Sequence, residues 1–112
     1  MDDRYTAQVQ RLVEAVLSSA GDTDPDTRRA VEGRAAALGG RPVGATAELP
    51  AILDAYVDKV ARHAYKVTDE DIAALHQAGY PLDAIFEVTL SAALGVGMSR
   101  LERGLATVKG GR

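Results

Sequence analysis

Apolar residues recur at helical spacing along most of the chain. Near the start, Tyr5, Val9, Val13 and Val16 follow one another at intervals of three or four residues, with polar side chains between them. Similar stripes follow, separated by segments rich in Gly and Pro. The pattern predicts helices over residues 3–20, 25–38, 50–66, 69–78 and 82–108, with residues 39–49 as a linker.

Residues that favour helix starts lie at two of the predicted boundaries. Asp24 precedes Pro25, which combines a preferred N-cap residue with the position where Pro is best tolerated. Thr68 precedes Asp71 by three residues, which is the spacing of a capping box with Asp in the acidic role. The whole chain, 112 residues long, is predicted to form a single helical domain.

Small residues follow one face of the last predicted helix. Ala93, Gly97 and Gly104 are spaced by four and seven residues, so they share a face on which another backbone could approach closely. Each Gly costs about 1 kcal/mol of helix propensity, which favours a packing role. We predict that these three residues form a seam, either for helix packing within the chain or for contacts in an oligomer. Alternatively, Gly95 and Gly97 break the helix in two.

Composition supports an all-α fold and argues against some partners. Hydrophobic residues make up 46% of the chain but aromatic residues only 4%, which favours a closely packed core of Ala, Val, Leu and Ile. The net charge of −3 gives no general attraction to nucleic acid or anionic lipid. The chain has no signal-peptide pattern at its start and no uninterrupted apolar run of spanning length. We therefore expect a cytoplasmic protein with neither nucleic acid nor membrane as a partner.

Few residues offer catalytic chemistry. The chain has no Cys, which excludes thiol nucleophiles and disulfides. Of the two His residues, His63 is expected at a helix end, whereas His76 could pair with Glu87 across the turn between the last two helices as an acid–base couple. Asp54 and Asp58 lie one helical turn apart, but no third ligand is spaced to complete a metal site. No metal or cofactor is predicted.

Residues 52–105 carry motifs that resemble a known family. A T-D-E-D-I helix start lies at Thr68 to Ile72, an A-G-Y helix end at Ala78 to Tyr80, and an S-R-L sequence at Ser99 to Leu101. In these respects the chain resembles the carboxymuconolactone decarboxylase and alkylhydroperoxidase-D-like superfamily. The resemblance implies an all-helical bundle of about five helices that assembles as a trimer or hexamer.

The resemblance also narrows the expected function. Peroxidase members of that superfamily use a Cys-x-x-Cys pair followed by a His, and this chain has no Cys. We therefore expect a non-redox, oligomeric binding or accessory protein. The alternative is a cysteine-independent lyase or isomerase that acts on a small organic acid, with His76 and Glu87 as its catalytic candidates. A third hypothesis is a purely structural subunit of a larger complex.

Overall fold

The computed structural model describes residues 3–18, 21–41 and 48–110. In this part of the chain the secondary structure is entirely helical, which confirms the all-α prediction. Its α-helices are α1 (Asp3–Ser18), α2 (Pro25–Leu38), α3 (Ala51–His63), α4 (Asp69–Gln77) and α5 (Leu82–Gly110). The end predicted for the first helix, residues 19 and 20, and residues 42–47 of the predicted linker lie outside the described residues.

The helix starts follow the sequence pattern closely. The Asp24 side chain accepts a hydrogen bond from the Asp26 N–H, and Pro25 is the first residue of α2. At α4, Thr68 and Asp71 form the predicted capping box, in which each side chain accepts from the other residue's backbone N–H. These bonds satisfy N–H groups that a helix start leaves without intrahelical partners. The Asp71 carboxylate also accepts two hydrogen bonds from Lys59 on α3, each 3.0 Å long, which ties the two helices together.

One predicted boundary, and the alternative of a broken last helix, were wrong. The third helix was expected to reach residue 66, but α3 ends at His63, and residues Ala64–Lys66 form a short 3₁₀ turn instead. The last helix continues without a break through Gly95 and Gly97 to Gly110. The glycines therefore do not divide it, because packing against the rest of the molecule outweighs their low helix propensity.

The core lies where α2, α3 and α5 meet. The pair of α2 and α5 has the most extensive contact, and α3 packs against both. The buried cluster is aliphatic apart from one Tyr and consists of Val31, Ala35, Leu53, Tyr56, Val57, Val60, Ala61, Leu75, Ile85, Val88, Ala92 and Val96. The Tyr56 hydroxyl lies 2.7 Å from the Thr89 hydroxyl, so its polar atom is satisfied. Phe86, the single Phe of the chain, lies outside this core with 66% of its surface exposed.

Helices α2 and α5 approach closely at Gly95 and not at the predicted seam. A Cβ atom at Gly95 would overlap the Glu32 carbonyl oxygen and lie 3.1 Å from the Ala35 Cβ. By contrast, a Cβ atom at Gly97 or Gly104 would meet no atom within 4 Å. The prediction of a packing seam within the chain was therefore wrong. Residues 95 and 97 point to nearly opposite sides of a helix, because each residue turns it by about 100°.

Helix α5 is long and apolar enough to cross a membrane by length and composition alone. The sequence shows no uninterrupted apolar run of spanning length in this helix, because isolated polar residues divide the segment. Of its most apolar window, 44% is buried inside the molecule.

Candidate functional site

The structure does not bring His76 and Glu87 together. His76 is exposed near the end of α4, and its Nδ1 atom lies 3.1 Å from the Tyr80 carbonyl oxygen. No hydrogen bond joins it to Glu87 among the described residues. The predicted acid–base pair is therefore not formed.

Glu87 instead holds the connection between α1 and α2. Its two carboxylate oxygens accept hydrogen bonds from the backbone N–H groups of Asp22 (2.9 Å) and Thr23 (2.7 Å). Burial acts to raise the pKa of Glu87, but these hydrogen bonds and the nearby Arg28 charge outweigh it and lower the pKa below its ordinary value. A carboxylate with a lowered pKa and both oxygens engaged is a weak general base.

The other polar candidates have structural partners. His63 is exposed and lies edge-on to Tyr65, with ring centroids 5.9 Å apart. Asp54 pairs with Arg34 at 2.9 Å, and Asp58 pairs with Arg62 at 2.8 Å. No group of His, Asp and Glu residues within the described ranges is arranged to hold a metal ion.

A cleft between α1, α2 and the second half of α5 is the best-formed candidate site. Its volume is about 360 Å³, which lies at the lower end of the range for small-molecule sites. Its walls are mainly apolar and are formed by Val9, Val13, Met98, Leu101 and Leu105. The polar residues that line it are Gln10, Glu14, Glu32, Arg41 and Glu102.

Arg41 joins two of the carboxylates that line the cleft. Its guanidinium donates to Glu32 at 2.8 Å and to Glu102 at 2.8 and 3.2 Å. Burial acts to lower the pKa of Arg41, but the hydrogen bonds to Glu102 and Glu32 outweigh it and raise the pKa. The Glu32 side chain is only 14% exposed, and the ion pair with Arg41 offsets the cost of burying a charged group there. We call these three residues the Arg41 network.

No sequence pattern marks the residues of the cleft as a site. Arg41 falls in the segment interpreted as a linker, and Glu102 follows it by 61 positions. No spacing rule connects residues so far apart in sequence, because only the packing of α2 against α5 brings them together. The apolar residues on α1 and α5 were visible as helical stripes, but a stripe does not show which of its members border an open space.

A second feature is an apolar stripe on the outer side of α5, opposite the core. It consists of Leu82, Phe86, Leu90, Ala93, Gly97, Gly104 and Val108, all of which are exposed, and the exposed Arg100 lies on the same face between Gly97 and Gly104. The stripe covers an arc of about 100° around the helix axis. It extends for about 40 Å along the helix, because each residue adds about 1.5 Å. The stripe contains all three residues of the predicted seam. That seam therefore faces solvent in the single chain, and its role in an oligomer stays a prediction.

Comparison of the chain with protein-family models, with curated proteins and with solved structures finds no match. The likeness to the alkylhydroperoxidase-D-like superfamily therefore rests on the motifs at residues 68–72, 78–80 and 99–101 alone.

Proposed function

We propose that this chain is a non-redox, homo-oligomeric binding or accessory protein of the alkylhydroperoxidase-D-like fold. The observation that carries the proposal is the outer stripe of α5. Leu82, Phe86 and Val108 are 60%, 66% and 72% exposed, so large apolar side chains face water at both ends of the stripe. Large exposed apolar side chains along one helix face are typical of a protein–protein interface.

A second copy of the same stripe is a suitable partner. In an antiparallel pair with a two-fold axis between Ala93 and Gly97, Ala93 faces Gly97 of the other copy, where the two backbones come closest. Phe86 then lies over Gly104 of the other copy, and Leu82 lies beside Val108. The small pair at the centre lets the backbones approach, Phe86 packs over a Gly, and Leu90 lies beside Arg100 of the other copy.

The proposed two-fold pairing distinguishes between the trimer and the hexamer that the family resemblance implies. A stripe that contacts its own copy forms an isologous interface, which a dimer contains and which a hexamer built from three dimers also contains. A trimer has no such axis. Of the expected trimer and hexamer, the proposal therefore favours the hexamer, with the dimer as its building block.

Other observations fit the non-redox part of the proposal. The absence of Cys from the whole chain removes the thiol chemistry of the peroxidase members. The motif at Thr68 to Ile72 lies at the start of α4, in agreement with the helix start that the resemblance implies. The lyase alternative gains no support, because His76 and Glu87 have other partners. A cytoplasmic location is part of the proposal and rests on the sequence pattern alone.

Light scattering after size-exclusion chromatography tests the oligomer directly. Leu82→Glu and Phe86→Glu should each lower the mass, because they place a charge in the apolar interface. Leu12→Glu is the matched control, since Leu12 is 62% exposed against 60% for Leu82 and lies on α1, away from the stripe. A monomeric wild-type protein at micromolar concentration, or stripe variants with the wild-type mass, would overturn the proposal.

A further inference from the structure

We propose that the cleft between α1, α2 and α5 binds a small amphipathic cation, namely an apolar chain or ring that carries a primary ammonium group. This inference goes beyond the oligomeric role and does not depend on it. The argument combines the apolar walls of the cleft with the charge of its polar residues.

The walls fit an apolar group. Val9 and Val13 of α1 oppose Met98, Leu101 and Leu105 of α5 across the cleft. Burying apolar surface of a ligand against these side chains is favourable, and this gain offsets part of the cost of association. Met98 adds a flexible side chain that adapts to different ligand shapes.

The charges favour a cation over an anion. The residues that line the cleft include three carboxylates, those of Glu14, Glu32 and Glu102, against the single guanidinium of Arg41. Glu14 also pairs with Arg29, which lies outside the lining. Arg41 is already engaged by two carboxylates, so an incoming anion would have to displace one of them. A carboxylate ligand is therefore disfavoured.

Both carboxylates of the Arg41 network keep an acceptor atom available. Arg41 bonds to the Oε1 atoms of Glu32 and Glu102, and no group among the described residues donates to either Oε2 atom. Because both side chains bond to the same guanidinium and line the cleft, we expect one ammonium group to reach these acceptors. An ammonium group has three N–H donors and can bond to more than one of them.

The test uses two probes with the same chain length and opposite charge, octylammonium and octanoate. Met98 lines the cleft and is one of two Met residues, so ¹³C labelling of the Met methyl groups gives a reporter at the site. Octylammonium should shift the Met98 methyl signal saturably, and octanoate should bind at least about tenfold more weakly. Probe bound on the outer stripe of α5 would not give this saturable Met98 response.

Two variants connect the binding to the Arg41 network. Glu102→Gln removes one charge from a side chain that is 54% exposed, so the fold should tolerate it. It should weaken octylammonium binding about tenfold, as expected for loss of a hydrogen bond to a charged group. Asp83→Asn, near the other end of α5, makes the same chemical change and should leave the affinity unchanged.

Three results would overturn the inference: no saturable shift of Met98, equal affinity for the two probes, or an unchanged affinity in Glu102→Gln. Repeating the titration with Phe86→Glu separates the two proposals. Octylammonium should bind that variant as it binds the wild type, whether or not the oligomer forms. Binding that is lost in Phe86→Glu would contradict a cleft formed by one chain.

Discussion

At the scale of single residues, Glu87 connects distant parts of the chain. Its carboxylate accepts the N–H groups of Asp22 and Thr23, more than sixty positions earlier in the sequence. In Glu87→Gln, the amide can accept one of these bonds, but its NH₂ group would then face the other N–H. We expect a loss of about 1–3 kcal/mol in the free energy of unfolding, the usual cost of an unsatisfied partner. Urea denaturation measures it, with Glu48→Gln, at an exposed position, as the control.

The same carboxylate should make stability depend on pH. The pKa of Glu87 is lowered in the folded protein, so its contribution is present above the ordinary carboxyl pKa of 4.5 and is lost as the pH falls through the lowered value. The free energy of unfolding should therefore decline more between pH 6 and pH 3 in the wild type than in Glu87→Gln. Parallel declines in the two proteins would show that Glu87 is not a source of the pH dependence.

Residue pairs also show where sequence reasoning ends. The Thr68 and Asp71 capping box was predictable because both residues lie in one turn and the bonds are local. The pairing of Glu87 with His76 was wrong because backbone N–H groups compete for the carboxylate, and no sequence pattern marks those donors. No sequence pattern predicts the Arg41 network either, because it forms only when α2 and α5 pack together.

At the scale of helices, the cap of α4 gives a local test. Thr68→Ala removes the side chain that accepts from the Asp71 N–H and should destabilise the protein by about 1 kcal/mol. Thr107→Ala is the control, because Thr107 is exposed within α5, where Ala has the higher helix propensity. Thermal unfolding followed by circular dichroism should show a lower midpoint only for Thr68→Ala. If the two variants melt together, the cap contributes nothing measurable.

The contact between α2 and α5 should be sensitive to a single methyl group. Gly95→Ala places a Cβ atom against the Glu32 carbonyl oxygen, so the helices must separate, at a cost of about 1–3 kcal/mol or more. Gly97→Ala meets no atom and should stabilise α5 by up to about 1 kcal/mol. Urea denaturation in the Phe86→Glu background isolates this effect from assembly. A smaller loss for Gly95→Ala than for Gly97→Ala would contradict the packing.

The helices themselves were largely predictable, because apolar period and caps are local signals. Their mutual arrangement was not. Helix α5 carries apolar residues on two opposite sides, so its sequence does not show which side faces the core. The seam residues Ala93, Gly97 and Gly104 were assigned to a close contact on periodicity alone, yet the buried Gly95 makes that contact. Shape matching with α2, through Ala35 and Ala36, decides between the two sides.

At the scale of the whole molecule, stability should depend on protein concentration. A chain with an aliphatic core and an exposed apolar stripe gains further burial only by association, and an oligomer unfolds to monomers, so dilution favours unfolding. We expect the midpoint of thermal unfolding of the wild type to rise as its concentration increases from 1 to 100 μM. Phe86→Glu should show a constant, lower midpoint, because its charge disrupts the shared interface.

Leu12→Glu, which changes an apolar residue outside the stripe, should keep the concentration dependence of the wild type. A wild-type midpoint that is constant over this range would show that folding is complete in the single chain and that the outer stripe of α5 contributes nothing to stability through self-association.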